Sequence, residues 1–217
     1  MRAEEFWQEL RPATGETAPF STGFPVTLKD GRVLELPIRP LPDSENGLAS
    51  LIINQASFAV QRVLIDDLAA ALSAYEPEVI VGLPTLGLTV AAGVAAALGH
   101  VRYVPCGTSR KFWYDEALSV SMSSVTTPTS RRLYLDPRLL PLLENRRVVL
   151  VDDVLSTGRS TSAGLALLDL VGVRPVAIGA LMLQTDRWRT ALGAEAPPVI
   201  GVFKTPLLHR TAAGWTT

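Results

Sequence analysis

Two adjacent carboxylates, Asp152 and Asp153, stand at the end of the apolar run Val148–Val151. A Gly-containing turn rich in hydroxyls, Ser156-Thr157-Gly158-Arg159-Ser160-Thr161, follows them. A turn of this kind that runs into a helix presents backbone N–H groups at the positive end of the helix dipole, where anions bind. The hydroxyls of Thr157, Ser160 and Thr161 add donors for phosphate oxygens. The two acids cannot share that phosphate, because like charges repel. An ionised carboxylate only accepts, so its natural partners are O–H donors such as the adjacent hydroxyls of a ribose. Ribose on the acids and its phosphate on the turn describe one ligand, a ribose 5-phosphate. Two other phosphate-binding patterns are absent: the turn lacks the Lys of GxxxxGK[ST], and no GxGxxG occurs in the chain.

The elements that must hold these groups follow from apolar patterning. Val79–Leu83, Val101–Pro105, Val148–Val151 and Pro175–Leu183 read as short apolar strands, and Leu88–Leu98 and Thr161–Val171 as helices. Continuous apolar strands alternating with helices predict an α/β fold, a Rossmann-like parallel sheet flanked by helices on both faces. Ligands of such sheets bind beyond the carboxyl ends of the strands, where Asp152 and Asp153 lie. Upstream, Lys29-Asp30-Gly31-Arg32 between two β-prone runs predicts a hairpin. Pro37, Pro40 and Pro42 end its second strand. Asp43 or Ser44 then caps a predicted helix from about Gly47 to Ala74, with Leu48, Leu51, Ile52, Ala56, Ala59, Val63, Leu64 and Leu68 at helical spacing. Residues 106–136 interrupt the alternation with a Ser-, Thr- and aromatic-rich insertion, the composition of a functional loop or lid.

Composition excludes several classes. At 217 residues, 47% apolar and 19% charged, the chain is a packed globular protein with one substantial core. A formal charge of −1 leaves no basic excess for a nucleic-acid partner. A single cysteine, Cys106, rules out an intrachain disulfide and leaves a Cys-based zinc site unsupported. The stretch between Glu78 and His100 carries no charge and is long enough to span a bilayer. Gly82, Pro84, Gly87 and Gly93 divide it into strand, turn and helix, so no membrane partner is expected. Acidic residues near the N-terminus argue against a signal peptide, and the expected location is cytoplasmic.

VVLVDDVLSTGRST resembles, almost position for position, the signature with which type I phosphoribosyltransferases bind phosphoribosyl pyrophosphate (PRPP). Arg159 stands where many members have Gly, a familiar variant. The resemblance implies that Asp152 and Asp153 bind the ribose hydroxyls and that Ser156, Thr157, Gly158, Arg159, Ser160 and Thr161 wrap the 5-phosphate. It implies Mg²⁺ as cofactor, carried by PRPP and reached by Asp152 and Asp153. A nucleobase is the second substrate and a homodimer the usual assembly. The turn Thr85-Leu86-Gly87 falls where relatives cradle pyrophosphate, with Leu86 in place of a frequent Lys or Arg.

Arg110 and Lys111 resemble the pair that opens the mobile catalytic loop of adenine- and xanthine-type members, which makes Lys111 a candidate catalytic cation. Trp113 and Tyr114 beside them either pack on the base or anchor the lid. Trp188, after the last core strand, is the candidate to stack on a purine, or else a packing residue. The implied organisation is an arm and hairpin at 1–46, a catalytic core at 47–190 with the mobile loop 106–136, and a C-terminal hood or tail at 191–217. Val199–Lys204 is expected to join the hairpin in a small hood over the base. The implied activity is transfer of ribose 5-phosphate from PRPP to a nucleobase in nucleotide salvage. The Arg110-Lys111 opening favours adenine-, xanthine- or orotate-type relatives, and the aromatic Trp188 tilts the choice toward a purine of the adenine or xanthine type. The alternative is a PRPP-binding regulator of the same fold.

Overall fold

The computed structural model describes residues 2–42, 45–122 and 131–217. The chain begins with strands β1 (Arg11–Pro12), β2 (Gly23–Thr27), β3 (Arg32–Pro40) and β4 (Asn46–Ala49), then helix α1 (Phe58–Leu72). Next come β5 (Val79–Gly82), α2 (Gly87–Ala97), β6 (Val104–Pro105), β7 (Ser119–Ser121) and β8 (Arg132–Tyr134). The remainder holds β9 (Val148–Leu155), α3 (Arg159–Asp169), β10 (Ala177–Gln184), α4 (Arg187–Leu192), β11 (Val199–Thr205), β12 (Leu207–Thr211) and β13 (Gly214–Thr216).

Five strands pair in parallel in the order β11-β10-β9-β5-β6. A parallel sheet of apolar strands needs cover on both faces. On one face, Val60, Leu64 and Leu68 of α1 and Val90 and Val94 of α2 pack in one cluster with Val149 and Val151. On the other, Ala163, Leu167 and Leu168 of α3 pack with Val148 and Leu150. The period-two alternation of β9 therefore divides its side chains between two layers. This is the expected α/β architecture, with β9 at its centre.

A second, antiparallel sheet forms the hood, in the order β1-β3-β4-β12-β13 with β2 also on β3. The expected Asp30-Gly31 hairpin is present: Gly31 has φ +85° and the Leu28 N–H donates to Arg32 O at 2.7 Å. Gln184 Nε2 at the end of β10 donates to Ala49 O at 2.7 Å, which ties hood to core.

Five expectations are corrected. The helix does not begin near Gly47. Ala49, Leu51 and Ile53 are all buried at alternate positions, and Ala49 pairs with Ile38 in the hood. That period-two pattern coincided with helical spacing at Leu48, Leu51 and Ile52, and sheet pairing won. A Cβ on Gly47 would lie 2.7 Å from the Trp215 ring, so the strand approaches closely. The helix starts at Phe58, where Ser57 Oγ accepts from the Val60 N–H at 3.2 Å. Asp43 and Ser44, the expected caps, lie outside the described residues.

Val199–Lys204 is a strand, but not part of the hood. It belongs to β11, the edge of the parallel sheet, with Met182 opposite Phe203, so that sheet runs past residue 190. The C-terminal share of the hood is β12 and β13. β9 runs on to Leu155, which puts Asp152 and Asp153 inside the strand, and α3 starts at Arg159, two residues earlier than expected. The strand expected at Val101–Pro105 shrinks to Val104–Pro105. Among the described residues no helix is long and apolar enough to cross a membrane.

Candidate active site

Asp152 and Asp153 lie in the carboxyl-terminal half of the central strand, which runs between β10 and β5. Asp152 is only 7% exposed and Asp153 is half-buried. The Asp153 N–H donates to Asp152 Oδ1 at 2.9 Å. Burial pushes the Asp152 carboxyl well above the ordinary carboxylate range, and the neighbouring Asp153 charge pushes it further. Burial also raises Asp153, whose hydrogen bonds act in the opposite direction. Two acids held this way accept hydrogen bonds from a polyol, or face a cation, in partial shelter from water.

The turn after them is built around Gly158, which has φ +78° and stands at the N-terminus of α3. A side chain there would be strained, and its Cβ would lie 3.0 Å from Ala191 Cβ. The Ser162 N–H donates to Gly158 O at 2.8 Å, closing the first turn of the helix. Thr157 and Arg159 are exposed, while Ser156 and Ser160 are half-buried. Thr161 is 1% exposed, and its Oγ1 has no hydrogen-bond partner among the described residues.

The turn after β5 meets the acids through strand register. Gly82 pairs with Val151, and the Leu83 N–H donates to Val151 O at 2.9 Å, so residues 84–87 fall beside Asp152. The Pro84–Thr85 peptide is cis. Thr85 is exposed, and Leu86 packs against the large core cluster. A Cβ on Gly87 would lie 2.7 Å from Asp152 Oδ1 and 2.9 Å from Asp152 Cα. Only glycine admits this approach. Gly87→Ala is therefore expected to cost about 1–3 kcal/mol through overpacking. A lower urea midpoint at unchanged m-value would report it.

The insertion at 106–136 is fastened at its base and carries cations outward. Gly107 and Tyr134 exchange backbone hydrogen bonds of 3.0 and 2.8 Å, and β7 pairs with β8. Ser123–Ser130, most of the Ser/Thr-rich stretch expected to cover the ligand, lie outside the described residues. The hairpin β7–β8 reaches the first turn of α3 across a cavity of about 340 Å³ lined by Ser121, Met122, Arg159 and Ser162. Arg110 Nε lies 3.3 Å from Glu116, which also holds Arg132 at 3.1 Å. Lys111 is exposed and has no ion pair among the described residues. Neither cation bonds to Asp152, Asp153 or the 156–161 turn.

Trp113 and Tyr114 both make contacts at the base of the insertion. Trp113 Nε1 donates to Asp136 Oδ2 at 3.3 Å, and the Arg138 guanidinium lies 4.7 Å from its ring centroid. Arg138 also holds the Asp136 carboxyl down at about 2. Tyr114 packs on Tyr134 at 6.2 Å.

Trp188 is a correction. It is 5% exposed, packs with Leu155, Ala180 and Leu183, and donates from Nε1 to Thr185 O at 3.0 Å. The Arg189 guanidinium lies 4.5 Å from its ring centroid. A tryptophan four residues past a buried strand is drawn into the apolar cluster beside that strand. The residue that sequence reasoning missed is its neighbour Arg187, whose Nη2 lies 3.4 Å from Ser156 Oγ.

The family model described as a phosphoribosyl transferase domain matches residues 51–195, more than half of the chain. Among solved structures, the adenine phosphoribosyltransferase of Thermoanaerobacter pseudethanolicus superposes with a TM-score of 0.63 at 22% identity. That match covers 78% of this chain and 95% of the other. The Giardia lamblia enzyme in complex with 9-deazaadenine matches at TM-score 0.63 and 19% identity, over 78% and 93% of the two chains. The Rhodothermus marinus adenine phosphoribosyltransferase matches at 0.59 and 20%, over 78% and 94%. At these identities the likeness is one of fold. No curated protein sequence matches the chain. The chain belongs to the phosphoribosyltransferase family, as a PRPP-dependent transferase of type I fold.

Proposed function

We propose that this protein transfers the ribose 5-phosphate of PRPP to a ring nitrogen of a purine of the adenine or xanthine class, releasing pyrophosphate. The observation that carries the reading is the juxtaposition of three parts at the end of β9: the acids Asp152 and Asp153, the Gly158 turn, and the turn at Thr85–Gly87. In this reading the acids accept from the two ribose hydroxyls, and the 156–161 backbone holds the 5-phosphate at the α3 N-terminus. The unpartnered Thr161 hydroxyl supports it, since a buried polar group without a partner costs about 1–3 kcal/mol, and a phosphate oxygen would remove that cost. Backbone and the Thr85 hydroxyl hold pyrophosphate beside Asp152.

The donor set suits Mg²⁺. Two hard carboxylates face the site, and no group of three or more His, Cys, Asp or Glu forms a cage among the described residues. Mg²⁺ commonly keeps several waters and binds through one or two carboxylates plus substrate phosphates. Asp152 and Asp153 would hold it, and when bound it supplies positive charge against the departing pyrophosphate. The chain itself orients ribose and phosphates and excludes water once the 106–136 loop closes, so that the electron-poor anomeric carbon meets the base nitrogen first.

With Trp188 packed, the base assignment rests on the Arg110-Lys111 opening of the loop, which resembles adenine- and xanthine-type members and is shared by orotate-type ones. Lys111→Ala is expected to lower turnover by about 10²-fold, as loss of a charge-stabilising donor does, with an unchanged melting temperature. An unchanged rate would make Lys111 a solvated surface cation.

The substrate test incubates the protein with PRPP and Mg²⁺ against adenine, guanine, hypoxanthine, xanthine, uracil and orotate. Formation of one purine nucleotide with pyrophosphate release supports the reading, and a pyrimidine product overturns the base assignment. One observation favours the second reading, a PRPP-binding regulator: Leu86, half-buried against the core cluster, stands where a cation would face pyrophosphate. Binding of PRPP without product from any base would select it.

A further inference from the structure

The Gly158 turn is not left to backbone groups alone. Helix α4 is docked against it. The Trp188 Cα and carbonyl oxygen both lie 3.3 Å from where a Gly158 Cβ would be, and Ala191 Cβ lies at 3.0 Å. Ser162 Oγ donates to Ala191 O at 3.4 Å. The buried Trp188 ring fixes the first turn of α4, and Arg187 precedes it directly. Its guanidinium reaches Ser156, the first residue of the turn, with Nη2 3.4 Å from Ser156 Oγ.

Arg187 has no carboxylate partner among the described residues. The adjacent Asp186 carboxylate is taken by Arg189, with Nε at 2.7 Å from Oδ1. An arginine held over an anion-binding turn by a rigid element, and not neutralised, still has donors to give. Its planar fork suits two oxygens of a phosphate.

We propose that Arg187 is a ligand of the terminal phosphate of the ribose substrate and closes the 156–161 cradle from the α4 side. This deepens the reading given under Proposed function and rests on it. The Ser156 contact keeps the guanidinium at the rim, and a phosphate seated on the α3 N-terminus draws it in. The contact discriminates by phosphate: it serves compounds with a 5-phosphate and contributes nothing to pyrophosphate bound beside Thr85.

Titration calorimetry on the full chain tests this with three probes: ribose 5-phosphate, PRPP with Mg²⁺, and inorganic pyrophosphate with Mg²⁺. Arg187→Gln is expected to weaken ribose 5-phosphate and PRPP by the same factor, about tenfold, as loss of a charge-assisted hydrogen bond does. Pyrophosphate affinity stays as in the wild type. Arg187→Lys recovers part of the loss, since it keeps the charge without the fork. Arg187→Met, which retains the apolar stem, replaces the Gln variant should that one melt early. Unchanged affinity for ribose 5-phosphate in Arg187→Gln or Arg187→Met overturns the proposal, as does a loss confined to pyrophosphate. A wild-type protein that binds neither ribose 5-phosphate nor PRPP overturns the reading of the turn itself, and Arg187 falls with it.

Discussion

Exchanging Asp152 and Asp153 together for Asn is expected to lower PRPP turnover by about 10³-fold, the scale of losing a preorganised electrostatic contact to the reacting group. The amide keeps the volume of the carboxylate, but it replaces one acceptor oxygen with a donor and removes the charge. Both changes work against ribose hydroxyls and against a cation. The same variant should fold at least as well as the wild type. Asp152 is 7% exposed, and burial together with the Asp153 charge raises its carboxyl above the ordinary range.

A group whose folded value lies above its unfolded value binds more protons in the native state across the interval between them, so stability falls as pH rises through that interval. The unfavourable contribution is absent at acid pH and complete above the folded value. Melting curves should therefore coincide for the two proteins near pH 3–4, about the ordinary carboxylate value, and separate toward neutral pH with the Asn variant higher. Wild-type kinetics in the double variant would remove the acids from the site. A variant that melts lower at pH 7 would mean that their charged forms stabilise the fold.

Trp188→Ala is expected to cost about 3–5 kcal/mol of stability, the range for truncating a large buried aromatic. For a chain of this length that is on the order of 10 °C in melting temperature. The ring fills a cluster with Leu155, Ala180 and Leu183, and the Trp188 backbone lies against the Gly158 turn. Trp188→Phe should keep most of the packing and lose the Nε1 bond to Thr185 O, a change of about 1 kcal/mol. The KM for the base separates packing from stacking. It stays within about twofold in Trp188→Phe if the residue only packs, since binding then loses no direct contact. A large rise in base KM at unchanged melting temperature would return Trp188 to the base site.

The sequence alone determined the parts of this protein whose signals are local. Val148–Val151 is apolar on both faces and the Thr157–Thr161 turn carries glycine and hydroxyls, so strand, turn and helix follow from neighbouring residues. The same holds for the Asp30-Gly31 hairpin and for the alternation that implies a parallel sheet. What only the tertiary structure decided depends on which distant segments meet. Gly47–Ala49 satisfies helical and strand spacing alike, and pairing with β3 and β12 selected the strand. β11 has the composition of either sheet, and its parallel register with β10 placed it in the core.

Trp188 could stack or pack, and the cluster of Leu155, Ala180 and Leu183 drew it inward. That same burial set Arg187 over Ser156, a relation between residues 31 positions apart that no local pattern encodes. The closeness of Gly87 to Asp152 is of the same kind, since it comes from the pairing of β5 with β9 and not from either segment. Local chemistry identified the glycine- and hydroxyl-bearing turn. Long-range packing chose which side chains surround it, because burial is shared among segments that the sequence keeps apart.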